Sequence, residues 1–146
     1  MSERTILVVD DDPAILDFYQ KIFRSEQASD FDILGTESVN KGRHFSCKAF
    51  QSPGELLAWY ARTVAGGESC PLCIVDMRMP GIDGLDTALG LRNIDPDIEI
   101  ILCSAYSDKS IAEMQSRLHD SFYFVHKPFT PDEFLSQLEA EHRVKP

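Results

Sequence analysis

The side chains with the clearest chemical potential follow short apolar runs of the sequence. Asp10-Asp11-Asp12 comes directly after the first run, Asp76 after a later one, and Ser104 and Lys127 after two more. The carboxyl ends of parallel strands meet at one edge of a sheet, and open α/β sheets bind ligands there, so we expect these residues to lie close together. The sequence therefore predicts one site that combines carboxylates, a hydroxyl and an ammonium group.

This combination of groups suits phosphoryl transfer. Clustered carboxylates repel one another unless a hard divalent cation lies between them, and Mg²⁺ is the natural candidate for oxygen ligands, with Mn²⁺ as a substitute. A carboxylate can attack phosphorus and become an acyl phosphate. A lysine and a hydroxyl can hold the oxygens of the transferred group while the metal neutralises its charge. We therefore expect a magnesium-dependent site for phosphoryl transfer.

The elements that must position these residues are five apolar runs that alternate with helix-like patterns. Short apolar strands that alternate with helices indicate an α/β fold whose parallel sheet is covered on both faces. Residues 26–44 form a longer connection than a minimal one, and we interpret them as an insertion in which 31–34 is one arm of a hairpin. Strands are predicted at 5–9, 45–50, 72–75, 98–103 and 122–125, and helices begin at Pro13, after Ser52, near Asp83, near Lys109 and after Thr130.

Local signals mark where the first two helices begin and end. Asp12 is a plausible cap because Pro13 follows at the first helical position. Ser52 and Glu55 have the spacing of a capping box, and Gly66-Gly67 is expected to end that helix. The first helix has an apolar face that consists of Ile15, Phe18, Tyr19, Ile22 and Phe23.

Length and charge restrict the class of protein. A chain of 146 residues suits one domain, so residues 1–146 are interpreted as a single unit. The net charge of -10 argues against direct binding to nucleic acid, because the chain would repel phosphate, and against anionic membranes, because it lacks a basic stripe. The chain contains no apolar segment of membrane-spanning length and no signal peptide, so a cytoplasmic location is expected.

The four cysteines are better explained by packing than by chemistry. Cys70 and Cys73 have metal or redox spacing, but no second ligand pair with matching spacing follows. A thioredoxin-like pair would begin a helix, whereas this pair leads into a predicted strand. We therefore interpret the cysteines as reduced and mostly buried thiols.

With these polar residues at its strand ends, the chain resembles the receiver domains of two-component response regulators. The resemblance covers nearly the whole chain, and its four segments in this order are highly specific although each is unspecific alone. It implies a flavodoxin-like, doubly wound sheet of five parallel strands in the order 2-1-3-4-5 with five helices, and places the insertion between helix 1 and strand 2. The segments are Ile6-Leu7-Val8-Val9-Asp10-Asp11-Asp12, Ile74-Val75-Asp76-Met77-Arg78-Met79-Pro80-Gly81-Ile82-Asp83-Gly84, Ile101-Leu102-Cys103-Ser104-Ala105 and His126-Lys127-Pro128-Phe129.

The same resemblance implies a role for each residue of the site. Asp76 would accept a phosphoryl group from a phosphohistidine. Asp10 and Asp11 would position Mg²⁺ together with Asp76 and the backbone carbonyl of Arg78. The chain would then be a phosphorylatable switch with self-catalysed transfer and dephosphorylation, and not an enzyme in the usual sense.

Further residues would bind the phosphoryl group or respond to it. The hydroxyl of Ser104, the backbone N–H of Ala105 and the side chain of Lys127 would contact its oxygens. Ser104 and Phe124 would act as switch residues for the surface of helix 4, strand 5 and helix 5. Arg78 and Tyr106 stand at variable positions that tune dephosphorylation in the family.

The resemblance also implies partners for the domain. They would be a sensor histidine kinase or a phosphotransfer protein, an output domain or separate target, and a second copy of the chain in a homodimer. The receiver would either stand alone or belong to a larger regulator or hybrid kinase.

Other interpretations of the same residues remain open. A haloacid dehalogenase-like phosphatase would use Asp10 as nucleophile, although Pro13-Ala14 replaces the expected Gly-Thr and no late acidic pair follows Lys127. A P-loop nucleotidase is excluded because the chain contains no Walker A sequence. A docking module that never meets phosphate would leave the strand-end residues with ordinary roles: Ser104 in a turn, Lys127 in solvent and Phe124 in the core.

Overall fold

The computed structural model of the chain describes residues 4–24, 45–77, 83–104, 111–118 and 122–126. These residues form five strands and four helices. The strands are β1 (Arg4–Val9), β2 (Phe45–Phe50), β3 (Leu72–Asp76), β4 (Glu99–Ser104) and β5 (Tyr123–His126). The helices are α1 (Pro13–Arg24), α2 (Pro53–Ala65), α3 (Gly84–Ile94) and α4 (Ile111–Leu118).

The five strands form one parallel sheet in the order β2-β1-β3-β4-β5. This order and the parallel direction confirm the predicted flavodoxin-like topology. The second apolar run after α1, at Phe45–Phe50, is indeed the sheet strand that pairs with β1. The predicted insertion at 26–44 and the predicted fifth helix after Thr130 lie outside the described residues.

The sheet buries apolar side chains on both faces. Along β1, Ile6 and Val8 belong to one apolar cluster, whereas Leu7 and Val9 belong to the other. The alternation of side chains along a strand therefore explains why β1 is a continuous apolar run. On the first face the cluster includes Leu16 and Tyr19 of α1, and on the second it includes residues of α2, α3 and α4, among them Leu56, Leu85 and Met114.

The predicted helix signals are present at α1 and α2. The N–H of Ala14 donates to Oδ1 of Asp12 at 2.9 Å, which confirms Asp12 as a cap. The N–H of Glu55 donates to Oγ of Ser52 at 3.2 Å. After Ala65, Gly66 caps the last turn and Gly67 adopts a φ of 91°, a conformation that favours glycine.

The predicted apolar face of α1 was correct in part. Tyr19 is buried, and Ile15 and Phe18 pack against the same cluster while remaining partly exposed. Leu16, which the prediction did not include, is also buried. The side chains of Ile22 and Phe23 lie outside the described part of the structure.

The cysteines are free thiols. Cys70, Cys73 and Cys103 are buried and Cys47 is partly exposed, which agrees with the predicted burial. Burial raises the pKa of the Cys70 thiol from 9.0 to about 11, and the nearby carboxylates of Asp95 and Glu68 act in the same direction. None of the described helices has the length and apolar character needed to cross a bilayer.

Candidate metal centre at the carboxyl edge of the sheet

Asp10 follows the last residue of β1 and lies almost completely inside the protein. Only 2% of the residue is exposed. Its N–H donates to the carbonyl of Phe50 at 3.1 Å, which continues the pairing of β1 with β2 by one residue. Its Oδ1 accepts the N–H of Asp12 at 3.0 Å, so the carboxylate is oriented by the chain that leads into α1. The turn from β1 into α1 therefore fixes Asp10 at the edge of the sheet.

Asp76 is the last residue of β3 and is 8% exposed. It pairs with Cys103 of β4 across the sheet, and the N–H of the next residue, Met77, donates to the carbonyl of Cys103 at 2.9 Å. Two consecutive backbone positions thus tie the end of β3 to the end of β4. This pairing fixes the direction in which the chain leaves Asp76.

Three carboxylates converge at this edge. Asp10, Asp11 and Asp76 each offer one carboxylate oxygen, and the three oxygens lie within 4.8 Å of one another. Two carboxylates about 5 Å apart repel by roughly 3 kcal/mol at an effective dielectric constant of about 20. Three hard oxygen donors in this spacing match the ligand preference of Mg²⁺ and suit a hard cation better than zinc or copper, which favour nitrogen and sulfur ligands. The donor set therefore supports the predicted metal centre.

The remaining predicted residues are described to different extents. Ser104 is the last residue of β4, and its backbone pairs with His126, the residue before Lys127. The strands β4 and β5 therefore end at the same edge of the sheet as Asp76. The side chain of Ser104, together with Arg78, Ala105, Tyr106 and Lys127, lies outside the described part of the structure. Phe124 of β5 pairs with Leu102 and packs, partly exposed, against the cluster that includes α4.

Two residues near the site escaped the sequence interpretation. Tyr19 was assigned to an apolar face, but its hydroxyl donates to Sγ of Cys103 at 3.4 Å. Gly84 begins α3, and its N–H donates to the carbonyl of Met77 at 3.1 Å. The polar end of a tyrosine on an apolar helix face was the available signal for the first, whereas Gly84 ends the second segment of the resemblance but was given no role.

The hydroxyl of Tyr19 has a strongly perturbed acidity. Burial raises its pKa far above the ordinary value, and the Cys103 sulfur, the hydrogen bond to it and the negative charges of Asp10 and Asp76 act in the same direction. Tyr19 is therefore a neutral hydrogen-bond donor in the folded chain. Its hydroxyl also lies within electrostatic range of two of the three carboxylates.

Comparison with known families finds one matching family model, described as the response regulator receiver domain, over residues 33–139. Asp10 and Asp11 precede the matched range. The chain is 33% identical over 100 residues to the C4-dicarboxylate transport transcriptional regulatory protein DctD of Rhizobium meliloti, which covers 68% of this chain and 20% of DctD. It is 28% identical over 148 aligned positions to the response regulator protein TodT of Pseudomonas putida, covering all of this chain and 55% of TodT.

Among solved structures, the chain resembles a CheY-like response regulator receiver domain protein from Methanospirillum hungatei. The TM-score is 0.63 at 24% identity, and the match covers 93% of this chain and 90% of that one. At this identity the likeness concerns the fold. The chain spans between a fifth and about half of the length of the two sequence relatives described above.

Proposed function

The chain belongs to the response regulator receiver domain family, and we propose that Asp76 is its phosphoacceptor. In the proposed reaction an oxygen of the Asp76 carboxylate forms a bond to phosphorus while the bond from phosphorus to a histidine nitrogen of the donor breaks. The leaving nitrogen keeps the electron pair and takes up a proton. The donor would be a sensor histidine kinase or a phosphotransfer protein.

The observation that carries this proposal is the convergence of Asp10, Asp11 and Asp76, with ligand oxygens within 4.8 Å. Asp76 is the last residue of β3, which pairs with both β1 and β4, so its backbone is held within the sheet. Asp10, Asp11 and Asp76 would hold Mg²⁺, or Mn²⁺ in its place, with the backbone carbonyl of Arg78. The cation would neutralise charge on the transferred group.

The phosphoryl oxygens would be held from β4 and β5. We assign contacts to the hydroxyl of Ser104, the backbone N–H of Ala105 and the ammonium group of Lys127. The register supports this assignment, because Ser104 ends β4 beside the strand of Asp76 and β5 ends one residue before Lys127. Phosphorylation of Asp76 would add negative charge that attracts these groups, and their movement towards it would change the conformation of the protein.

The proposed output surface is formed by α4, β5 and the helix that the sequence predicts after Thr130. Phe124 packs partly exposed against the cluster that includes α4, which suits an aromatic switch that responds to Ser104. An ion pair between Arg117 of α4 and Asp86 of α3 is partly exposed, and such pairs contribute little, so its loss would add little to the cost of a shift of α4. Arg78 and Tyr106 are proposed to tune the lifetime of the phosphoryl group.

The wider assignment is a single receiver domain over residues 1–146 that acts as a signalling switch in the cytoplasm. Its proposed partners are a phosphodonor, an output domain or target, and a second copy of the chain. DctD is named as a transcriptional regulatory protein, which supports a regulatory output for this domain as well. The alternative of a haloacid dehalogenase-like phosphatase with Asp10 as nucleophile receives no support from the family match.

The test is phosphorylation by acetyl phosphate with Mg²⁺, followed by intact-protein mass spectrometry. The wild-type chain should gain one phosphoryl group that is labile to hydroxylamine, as an acyl phosphate is, and omission of Mg²⁺ should suppress the gain. Asp76→Asn should not gain it. Asp83→Asn is the matched control, because Asp83 caps α3 outside the three-carboxylate group and asparagine caps a helix equally well. Stable modification of Asp76→Asn would contradict the proposal.

A further inference from the structure

Tyr19 links the helix that follows the metal-binding aspartates to the strand beside the phosphoacceptor. It lies on α1, is 1% exposed, and donates its hydroxyl to Sγ of Cys103 on β4 at 3.4 Å. A buried hydroxyl costs free energy unless it is hydrogen-bonded, so packing alone would be served by phenylalanine. The hydroxyl therefore adds a specific connection between α1 and β4.

Cys103 connects Tyr19 to the proposed phosphoacceptor, Asp76, through the backbone of β4. It pairs in register with Asp76, and its carbonyl accepts the N–H of Met77 at 2.9 Å. The residue after Cys103 is Ser104, the last residue of β4. A displacement of the Cys103 side chain would thus move the backbone that supports both Asp76 and Ser104.

The other end of the connection is equally close to the site. α1 begins at Pro13, directly after the turn in which Asp12 donates its N–H to the Asp10 carboxylate. Tyr19 lies less than two helical turns from that beginning, and the charges of Asp10 and Asp76 both act on its hydroxyl. The Tyr19 hydroxyl therefore connects α1, which begins just after the aspartates at 10–12, with β4, which pairs with the strand that ends at Asp76.

We infer that Tyr19 is a positioning residue for phosphorylation, whose hydroxyl holds the end of β4 against α1 and so sets the spacing between Asp10 and Asp76. This inference rests on the proposed function of Asp76. Tyr19 does not contact the phosphoryl group, and its effect passes through Cys103. The spacing of the carboxylates governs both metal binding and the approach of phosphorus, so both should respond to loss of the hydroxyl.

The experiment compares two buried tyrosines that differ in where their hydroxyls point. Tyr19→Phe removes the hydroxyl near the site. Tyr60→Phe is the matched control, because Tyr60 is equally buried but its hydroxyl contacts Cys70 and Asp95, which precede β3 and β4 at the opposite edge of the sheet. The rate of phosphorylation by acetyl phosphate is measured as a function of Mg²⁺ concentration, with thermal unfolding of each variant.

Tyr19→Phe should lower the phosphorylation rate or raise the half-saturating Mg²⁺ concentration by about twofold to tenfold, the range that corresponds to one neutral hydrogen bond. Tyr60→Phe should leave both values unchanged even where it lowers the melting temperature more. A change in kinetics in Tyr19→Phe but not in Tyr60→Phe would distinguish a positioning role of the Tyr19 hydroxyl from a general loss of stability. Wild-type kinetics in Tyr19→Phe would overturn the inference.

Variants of Cys103, the hydrogen-bond acceptor of the Tyr19 hydroxyl, provide a second, independent test. Cys103→Ala removes this hydrogen-bond acceptor and should reproduce the kinetics of Tyr19→Phe. Cys103→Ser keeps a hydrogen-bond acceptor and should retain most of the wild-type rate. Equal kinetics in Cys103→Ala and Cys103→Ser would overturn the inference. Absence of phosphorylation in the wild-type chain would instead overturn the proposed function, and this inference with it.

Discussion

The backbone of Gly84 lies directly against the carbonyl group of Asp76. A Cβ atom added at Gly84 would overlap the Asp76 carbonyl oxygen and would lie 2.7 Å from Cα of Met77. The N–H of Gly84 also donates to the carbonyl of Met77 at 3.1 Å. The first residue of α3 is therefore fixed against the end of β3, at the position that carries the proposed phosphoacceptor.

Gly84→Ala should disturb this contact because the atoms that a Cβ would meet are backbone atoms, which cannot rotate away. We expect a loss of about 1–3 kcal/mol in the free energy of unfolding, as in other overpacked sites, measured by urea titration. Phosphorylation by acetyl phosphate should slow as well. Gly54→Ala is the control: no atom lies within 4 Å of its added Cβ, so its stability should be unchanged or slightly raised. Equal stability of the two variants would contradict the proposed contact.

Whether the sequence predicted a contact depended on whether strand order or close tertiary packing determines it. Asp10 and Asp76 could be placed together because each follows an apolar strand, and the rule for parallel sheets then brings their strand ends to one edge. The contact of Tyr19 with Cys103 joins residues 84 positions apart, and no local pattern encodes it. The contact of Gly84 with Asp76 likewise depends on how closely α3 approaches β3. Strand order and caps are thus local or topological properties, whereas these positioning contacts depend on tertiary packing.

Mg²⁺ should stabilise the folded chain because the three carboxylates converge only in the native state. At a concentration ten times the dissociation constant, binding to one native site adds about 1.4 kcal/mol. This corresponds to a rise of a few degrees in melting temperature relative to EDTA, measured by circular dichroism at constant ionic strength. An equal melting temperature in Mg²⁺ and EDTA would contradict the metal site.

Asp11→Asn should separate repulsion from metal binding. Asp11 is the exposed member of the three carboxylates, so the substitution removes one charge with little change in packing. We expect unchanged or higher stability in EDTA, because one repulsive charge is gone, and a smaller rise with Mg²⁺, because one ligand is weakened. Asp97→Asn, at an exposed position outside the cluster, should respond to Mg²⁺ as the wild type does. A full Mg²⁺ response in Asp11→Asn would remove Asp11 from the ligand set.

Tyr60 should contribute to stability through its hydroxyl. The hydroxyl donates to Oδ2 of Asp95 and accepts the buried N–H of Cys70 at 3.0 Å. Tyr60→Phe leaves that N–H without this partner, so we expect a loss of about 1–3 kcal/mol in urea unfolding. In a double-mutant cycle with Asp95→Ala, a coupling of at least about 0.5 kcal/mol should appear. Strict additivity of the two substitutions would show that the hydrogen bond to Asp95 contributes nothing.

Alkaline pH should destabilise the chain through its buried thiols. The pKa of Cys70 is raised to about 11 by burial, and burial raises the pKa of Cys73 as well, whereas thiols of the unfolded chain ionise near pH 9. Between these values the unfolded state releases protons that the folded state retains, so the free energy of unfolding should fall as pH rises from about 9 to 11. The stabilisation should be fully present below about pH 9. Urea unfolding at pH 7.5 and pH 10 measures the difference.

The burial of three of the four cysteines should also determine how fast each thiol of the native chain reacts at neutral pH. Cys47 is partly exposed, whereas Cys70, Cys73 and Cys103 are buried, and a thiol reacts as an accessible thiolate. With Ellman's reagent we expect one fast-reacting thiol and three that react only on unfolding in urea. Cys47→Ser should remove the fast phase and leave the slow one. A fast phase that persists in Cys47→Ser would mean that one of the three buried thiols is accessible. If that thiol were Cys70 or Cys73, the loss of stability at alkaline pH should also be smaller than expected.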